Sequence, residues 1–187
     1  MRSLVVLVLL FTSVPGLTVS AAPDPALTIP IERFQRVDDR LYRGAQPTAE
    51  GFRRLRDLGV RMVVNLRMDA DAKRTNERQI VESLGMRYVH LPVEDGNFFT
   101  RSRRIPETVI HEFFSVLDNA GNAPVFVHCH RGADRTGALV AFYRIARHGW
   151  DNQRALKEAR EIGMRSWYRG LQNQIVRFTT AILKPRP

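Results

Sequence analysis

Apolar and polar positions along this chain switch repeatedly between a period of two and a period near 3.6, and the switching predicts its elements. Two short β-forming runs come first, RFQRV (33–37) and RLYRGAQP (40–47), closed by Gly44 and Pro47. TAEGFRRLRDLG (48–59) then places Phe52, Leu55 and Leu58 on one helical face, with Thr48 as N-cap and Gly59 as the stop. VRMVVNLR (60–67) is the kind of apolar run that fills a strand covered on both faces. DAKRTNERQIVESLG (71–85) predicts one polar helix ending at Gly85, and MRYVHLPV (86–93) predicts another strand. The loop EDGNFFTRSRR leads into a helix within IPETVIHEFFSVLDNAG, where Pro106 sits in the first turn and its missing N–H costs little. APVFVHC (123–129) is the most strand-like run of all. Three helices close the chain: Thr136 to Arg147, Asp151 to Ile162, and Ser166 to about Leu183.

Strands alternating with helices predict an α/β domain with a central, mostly parallel sheet flanked by helices. The 187 residues suffice for one such domain with a sizeable core, and no internal repeat or low-complexity tract interrupts it. The N-terminal residues are of a different kind. Arg2, the apolar run Leu4 to Phe11 and the small residues Val19-Ser20-Ala21-Ala22 form an export-signal pattern, and that run is too short for an ordinary membrane span. The expected organisation is a signal peptide over 1–22, cleaved after Ala21 or Ala22, a Pro-rich linker over 23–30 and one domain over 31–184. The expected location is periplasmic or secreted, with no stable membrane span after the signal is removed. An uncleaved N-terminal anchor is the other reading of the same residues.

Composition adds one strong bias. The chain is ordinary in its hydrophobic (44%) and charged (26%) fractions, which excludes a disordered chain, but it carries 29 Lys and Arg against 19 Asp and Glu. Arginine far outnumbers lysine. A net +10 favours anionic partners, and the planar guanidinium fork leans toward phosphate. Binding of nucleic acid would rest on that charge alone, so no nucleic-acid partner is expected.

The chemistry concentrates at HCHRGADRTG (128–137), which holds the single cysteine of the chain. In an oxidising compartment a lone cysteine has no partner in its own chain, so it is either idle and buried or a thiol kept for use. A strand ending at Cys129, a loop containing Gly132 and a helix starting at Thr136 build an anion site. Backbone N–H groups and the helix dipole point into the loop, and Arg135 can clamp two oxygens of a tetrahedral oxyanion. The same field should ionise the thiol well below its free value. One loop therefore offers a nucleophile and a cradle for its target. No metal-ligand spacing occurs, and neither a metal nor any other cofactor is expected.

His128-Cys129, five residues, then Arg135-Thr136-Gly137 resembles the signature of the cysteine-dependent protein tyrosine and dual-specificity phosphatases. LYRGAQPTAEGFRRLRDLGVRMVVNLR is similar to the opening of small bacterial and plant/fungal atypical dual-specificity phosphatases, so the resemblance spans roughly residues 31 to 180. It implies a protein tyrosine phosphatase-like fold and a phosphomonoesterase working through a cysteinyl-phosphate. On that resemblance Cys129 is the nucleophile, Arg135 with the loop residues His130, Arg131, Gly132, Ala133 and Gly137 holds the phosphate, and Thr136 hydrogen-bonds the sulfur. His128 orders the loop and tunes the thiol from behind. The general acid/base falls on Asp95, 34 residues before Cys129 and beside Glu94. Asp134 departs from most family loops. In myotubularin-like lipid phosphatases and some secreted bacterial tyrosine phosphatases such an aspartate is itself a candidate acid; its other role, preferred here, is to pair with a nearby arginine and brace the loop.

The substrate stays open at this level between a phosphoprotein and an inositol polyphosphate or phosphoinositide. Arg101, Arg103 and Arg104 could hold extra phosphates or form a solvated loop, while Ala133 stands where several inositol-phosphate-acting relatives carry lysine. A non-catalytic phosphate-binding module and a rhodanese-like sulfurtransferase are the remaining classes. The chain is expected to act as a monomer. His90, His111 and His148 read as packing, surface and helix-end residues, and Phe113, Phe114, Phe142, Trp150, Trp167 and Phe178 as core.

Overall fold

The computed structural model describes residues 29–94 and 103–183. Strands β1 (Gln35–Arg36), β2 (Leu41–Gly44), β3 (Met62–Asn65), β4 (Arg87–His90) and β5 (Val125–His128) form one sheet in the order β1-β2-β5-β3-β4. Only the β1–β2 hairpin is antiparallel, so the expected α/β architecture with a mostly parallel sheet is what the chain adopts. β5 lies at the centre, and its register aligns Gly44 and Asn65 with His128, while Asn65 aligns with His90. Four parallel strands therefore end at one edge, the edge where open α/β sheets hold their ligands.

Each central strand is buried on both faces, and its side chains alternate between two apolar layers. Val64, Val125 and Val127 face the layer under helices α4 (Glu107–Asp118), α5 (Asp134–His148), α6 (Asn152–Glu161) and α7 (Arg169–Arg177). Val63 and Phe126 face the opposite layer, against α1 (Ala49–Asp57) and α3 (Glu77–Ser83), which contribute Phe52, Leu55 and Val81. Burying each such side chain is worth about 1.5–3 kcal/mol. Ile31 already belongs to this second layer. The start of α1 is as expected: Thr48 accepts a hydrogen bond from the Gly51 N–H at 3.2 Å, and Gly59 sits at φ +82° where the chain turns away.

Two helical spans differ from the pattern. The expected polar helix over 71–85 is two pieces, α2 (Asp69–Lys73) and α3, broken at Asn76 with φ +48°. The break lets Arg67 reach the Asp71 carbonyl at 2.6 Å and the Thr75 hydroxyl at 3.2 Å, and it turns Glu77 into the interior. The last helix is likewise shorter. α7 ends at Arg177 because the Asn152 side chain donates to the carbonyls of Ile175 and Phe178, and a 3₁₀ turn follows at Thr180–Leu183. Of the expected core aromatics, Trp167 is 44% exposed and so is not core. Its ring instead lies under the Arg165 guanidinium, 5.1 Å away. His148 is tied to Asp38, its Nε2 at 2.7 Å from Oδ2. No helix among the described residues is long and apolar enough to cross a membrane.

Candidate active site

Cys129 follows β5 directly and is 1% exposed, at the floor of a cavity of about 250 Å³. The rest of the wall comes from His130, Arg131, Asp134, Arg135, Arg165 and Tyr168. α5 begins at Asp134, two residues earlier than its pattern suggests, so Asp134, Arg135 and Thr136 make up its first turn. No side chain caps that 15-residue helix at Ala133, which leaves its first N–H groups and dipole available to an anion. Gly132 makes the turn possible. It has φ +69°, and a Cβ there would stand 2.3–2.4 Å from the backbone of Gly44 and Ala45.

Arg135, 5% exposed, extends across the strand ends and donates to the Val93 carbonyl at 3.1 Å. Asp134 is engaged on both oxygens: Oδ2 accepts from Arg131 Nη1 and Oδ1 from the Arg165 N–H, each at 2.9 Å. Those are the contacts of a brace. They tie the loop after β5 to the segment before α7, where sequence alone showed no link.

Behind the cysteine lies a buried polar cluster. His128 Nε2 is 2.7 Å from Glu77 Oε1 and its Nδ1 is 3.2 Å from the Cys129 carbonyl oxygen. Glu77 also accepts from Gln46 Nε2 at 2.8 Å, with Arg67 Nη1 at 3.6 Å. Burial alone would raise the Glu77 carboxyl, but His128, Gln46 and Arg67 together hold it below its ordinary value. Phe126 stacks on the His128 ring, 5.6 Å between centroids, so the imidazole is fixed on its face as well as its edges.

Several expected positions fall elsewhere. The Thr136 hydroxyl is buried with no hydrogen-bond partner among the described residues, so the expected bond to sulfur is not formed here. Gly137 faces Met164 and Ala159 rather than the cavity: its absent side chain lets α5 pack closely on α6. Ala133 is fully buried, with its methyl group toward Gly163, and Gly132 is wedged against β2, so neither offers a side chain to a ligand. Asp95 and Arg101 lie outside the described residues. Glu94 pairs with Arg103, and Arg103 and Arg104 line a small cleft that shares Arg135 and Tyr168 with the cysteine cavity.

Sequence reasoning missed Arg43, Glu77, Arg165 and Tyr168. Arg43 had one legible signal: it is in phase with Leu41 on β2, on a buried face. Glu77 had none, being one charge in a polar helix. A larger cavity, about 400 Å³, opens between α2, α3 and β4 beside Tyr88 and His90 and contains no cysteine. Among the described residues no cluster of His, Cys, Asp and Glu could hold a metal ion.

Comparison with known proteins finds a family model and relatives that match this chain. A protein-family model described as "DSP-PTPase phosphatase fused to NAD+ Kinase" covers residues 31–176. The dual specificity protein phosphatase TpbA of Pseudomonas aeruginosa is 32% identical over 143 residues, 76% of this chain and 57% of that protein. Inositol diphosphatase DSP5 of Arabidopsis thaliana is 26% identical over 152 residues, 81% of this chain and 72% of that protein. The chain thus spans little more than half the length of the bacterial relative. Among solved structures, P. aeruginosa TpbA superposes with a TM-score of 0.66 at 28% identity, covering 87% of this chain and 91% of that one. The core catalytic domain of the PP-IP phosphatase SIW14 from S. cerevisiae reaches 0.68 at 24% identity, over 81% and 88% of the two chains, a likeness of fold.

Proposed function

The chain belongs to the DSP-PTPase phosphatase family, and from that premise we propose that it hydrolyses phosphomonoesters through a cysteinyl-phosphate. The observation that carries the proposal is the placement of Cys129 at the floor of a cavity walled by Arg131, Arg135 and Arg165, under the uncapped start of α5. Cys129 Sγ attacks phosphorus as the leaving oxygen departs with a proton from a carboxylic acid. Water then attacks the thiophosphate, the same carboxylate takes its proton, and sulfur leaves as thiolate. The equatorial oxygens sit against the loop N–H groups and the α5 start, with Arg135 released from the Val93 carbonyl to clamp them. Asp95 is the proposed acid, because both oxygens of Asp134 are already held by Arg131 and Arg165.

The preferred substrate is a phosphotyrosine- or phosphoserine/threonine-bearing protein, in keeping with the bacterial relative. A second reading, an inositol polyphosphate or phosphoinositide, is favoured by one observation. Arg103 and Arg104 line a small cleft that shares Arg135 and Tyr168 with the cysteine cavity, so a second anionic group of a substrate held at Cys129 would pass near them. The export-signal pattern of residues 1–22 leads us to place the activity in the periplasm or outside the cell. Release of p-nitrophenol from p-nitrophenyl phosphate, with Cys129→Ser and Arg135→Ala as controls, tests the activity. Absence of turnover between mildly acidic and neutral pH with the thiol verified as reduced would overturn it. A panel of phosphopeptides and inositol polyphosphates then separates the two substrate classes.

A further inference from the structure

Three consecutive carbonyls of the phosphate loop are each held by a donor from one N-terminal segment. The His130 carbonyl accepts from the Gln46 N–H at 3.1 Å, the Arg131 carbonyl from Arg33 Nη1 at 3.2 Å, and the Gly132 carbonyl from Arg43 Nη2 at 2.7 Å. Their flanks are held as well: His128 O accepts from Leu66 N and Ala133 O from Gly137 N, both at 2.9 Å. In a planar trans peptide the C=O and the next N–H point in opposite directions. Holding the carbonyls of residues 130–132 away from the cavity therefore turns the N–H groups of Arg131, Gly132 and Ala133 toward it.

Two of the three donors are arginines in unfavourable settings. Arg43 is 0% exposed, and its Nε and Nη1 have no hydrogen-bond partner among the described residues. Burial pulls its pKa down to about 10, partly opposed by attraction to Glu158 and to Cys129, so it stays charged at neutral pH. Arg33 is held at φ +53°, a left-handed conformation that a side chain of its kind rarely adopts. Desolvated charge and backbone strain are retained where the surrounding structure over-determines them, and sites of function are where they cluster.

We infer that Arg33 and Arg43 are positioning residues that hold the 130–132 peptides in the orientation that binds a tetrahedral oxyanion. The inference rests on the reading of this loop as a phosphate cradle but not on turnover. Arg33→Gly is the discriminating variant, because glycine relieves the positive φ while losing the bond to the Arg131 carbonyl. Orthovanadate binding to the full chain is measured by calorimetry, with the melting temperature followed in parallel. Arg33→Gly should melt at or above the wild-type temperature yet bind vanadate about tenfold more weakly, as loss of one hydrogen bond to a loop carbonyl implies. Arg43→Met should lose more, about a hundredfold, and Arg43→Lys, which keeps the charge and a donor, should recover most of it. If Arg43→Met does not fold, Arg33→Gly carries the test. Vanadate affinity within twofold of wild type in folded Arg33→Gly, and in Arg43→Met where it folds, overturns the positioning role. Wild-type protein that binds vanadate but turns over no phosphomonoester leaves the role standing and sinks only the proposed activity. Wild-type protein that binds no vanadate overturns the cradle and the positioning role with it.

Discussion

Replacing Glu77 by alanine removes a buried carboxylate beneath the Cys129 loop. Its side chain is 0% exposed and accepts from His128 Nε2 at 2.7 Å and Gln46 Nε2 at 2.8 Å, with Arg67 Nη1 at 3.6 Å. The alanine variant leaves a fully buried imidazole and a buried guanidinium without their carboxylate. Breaking a buried pair in this way costs about 3–5 kcal/mol. For a domain of this size that corresponds to a fall in melting temperature of roughly 10 °C. The effect also has a pH signature. The Glu77 carboxyl is lowered from its ordinary value of 4.5, because His128, Gln46 and Arg67 outweigh the burial that would raise it. A carboxylate depressed in the folded state adds stability that is complete above its unfolded value and is lost as pH falls through the folded one. Urea unfolding of wild type and Glu77→Ala from neutral to mildly acidic pH should therefore show a wide gap at pH 7 that narrows below the ordinary carboxylate range. A gap under about 1 kcal/mol at neutral pH, the size expected of an exposed ion pair, would refute the reasoning. So would a gap that stays constant into acid.

Two further predictions concern the loop itself. Gly132→Ala forces a Cβ to within 2.3–2.4 Å of the Gly44–Ala45 backbone at φ +69°. It should destabilise the fold by about 2–4 kcal/mol and abolish both turnover and vanadate binding, since loop and β2 cannot both keep their places. Wild-type melting and wild-type activity in that variant would contradict the close approach. With a poor leaving group, Asp95→Asn should lose more turnover than Asp134→Asn, and the Asp134 variant should lose melting temperature as Arg131 and the Arg165 N–H lose a charged acceptor. The reverse order in turnover would make Asp134 the acid.

The local pattern carried the element types because period and punctuation are local properties. Thr48 and Gly59 bound α1 through their own side-chain and backbone chemistry, and the β-branched runs at 62–65 and 125–128 read as strands buried on both faces, as they are. Where the pattern ran long, tertiary contacts cut it. Arg67 and the left-handed Asn76 split the polar stretch, and Asn152 took the carbonyls that would have continued α7.

The same division runs through the site. Cys129, the turn glycine and Arg135 lie within seven residues, and a thiol beside a candidate anion site is legible there because one strand, one loop and one helix start build it. What supports the loop comes from far along the chain: Arg33, Arg43 and Gln46 from before α1, Glu77 from α3, and Arg165 from beyond α6. Apart from Arg43, whose phase with Leu41 marks a buried face, no period marks these residues, since an arginine or glutamate in a polar run looks solvated until the fold buries it. Parallel pairing of β2 and β3 with β5 is what carries those distant segments to the strand edge. The sequence by itself determined that one thiol stands at a strand end, before a glycine turn and an arginine-bearing helix start. Only the tertiary structure decided how the loop peptides are held, because that depends on donors brought together across long separations along the chain.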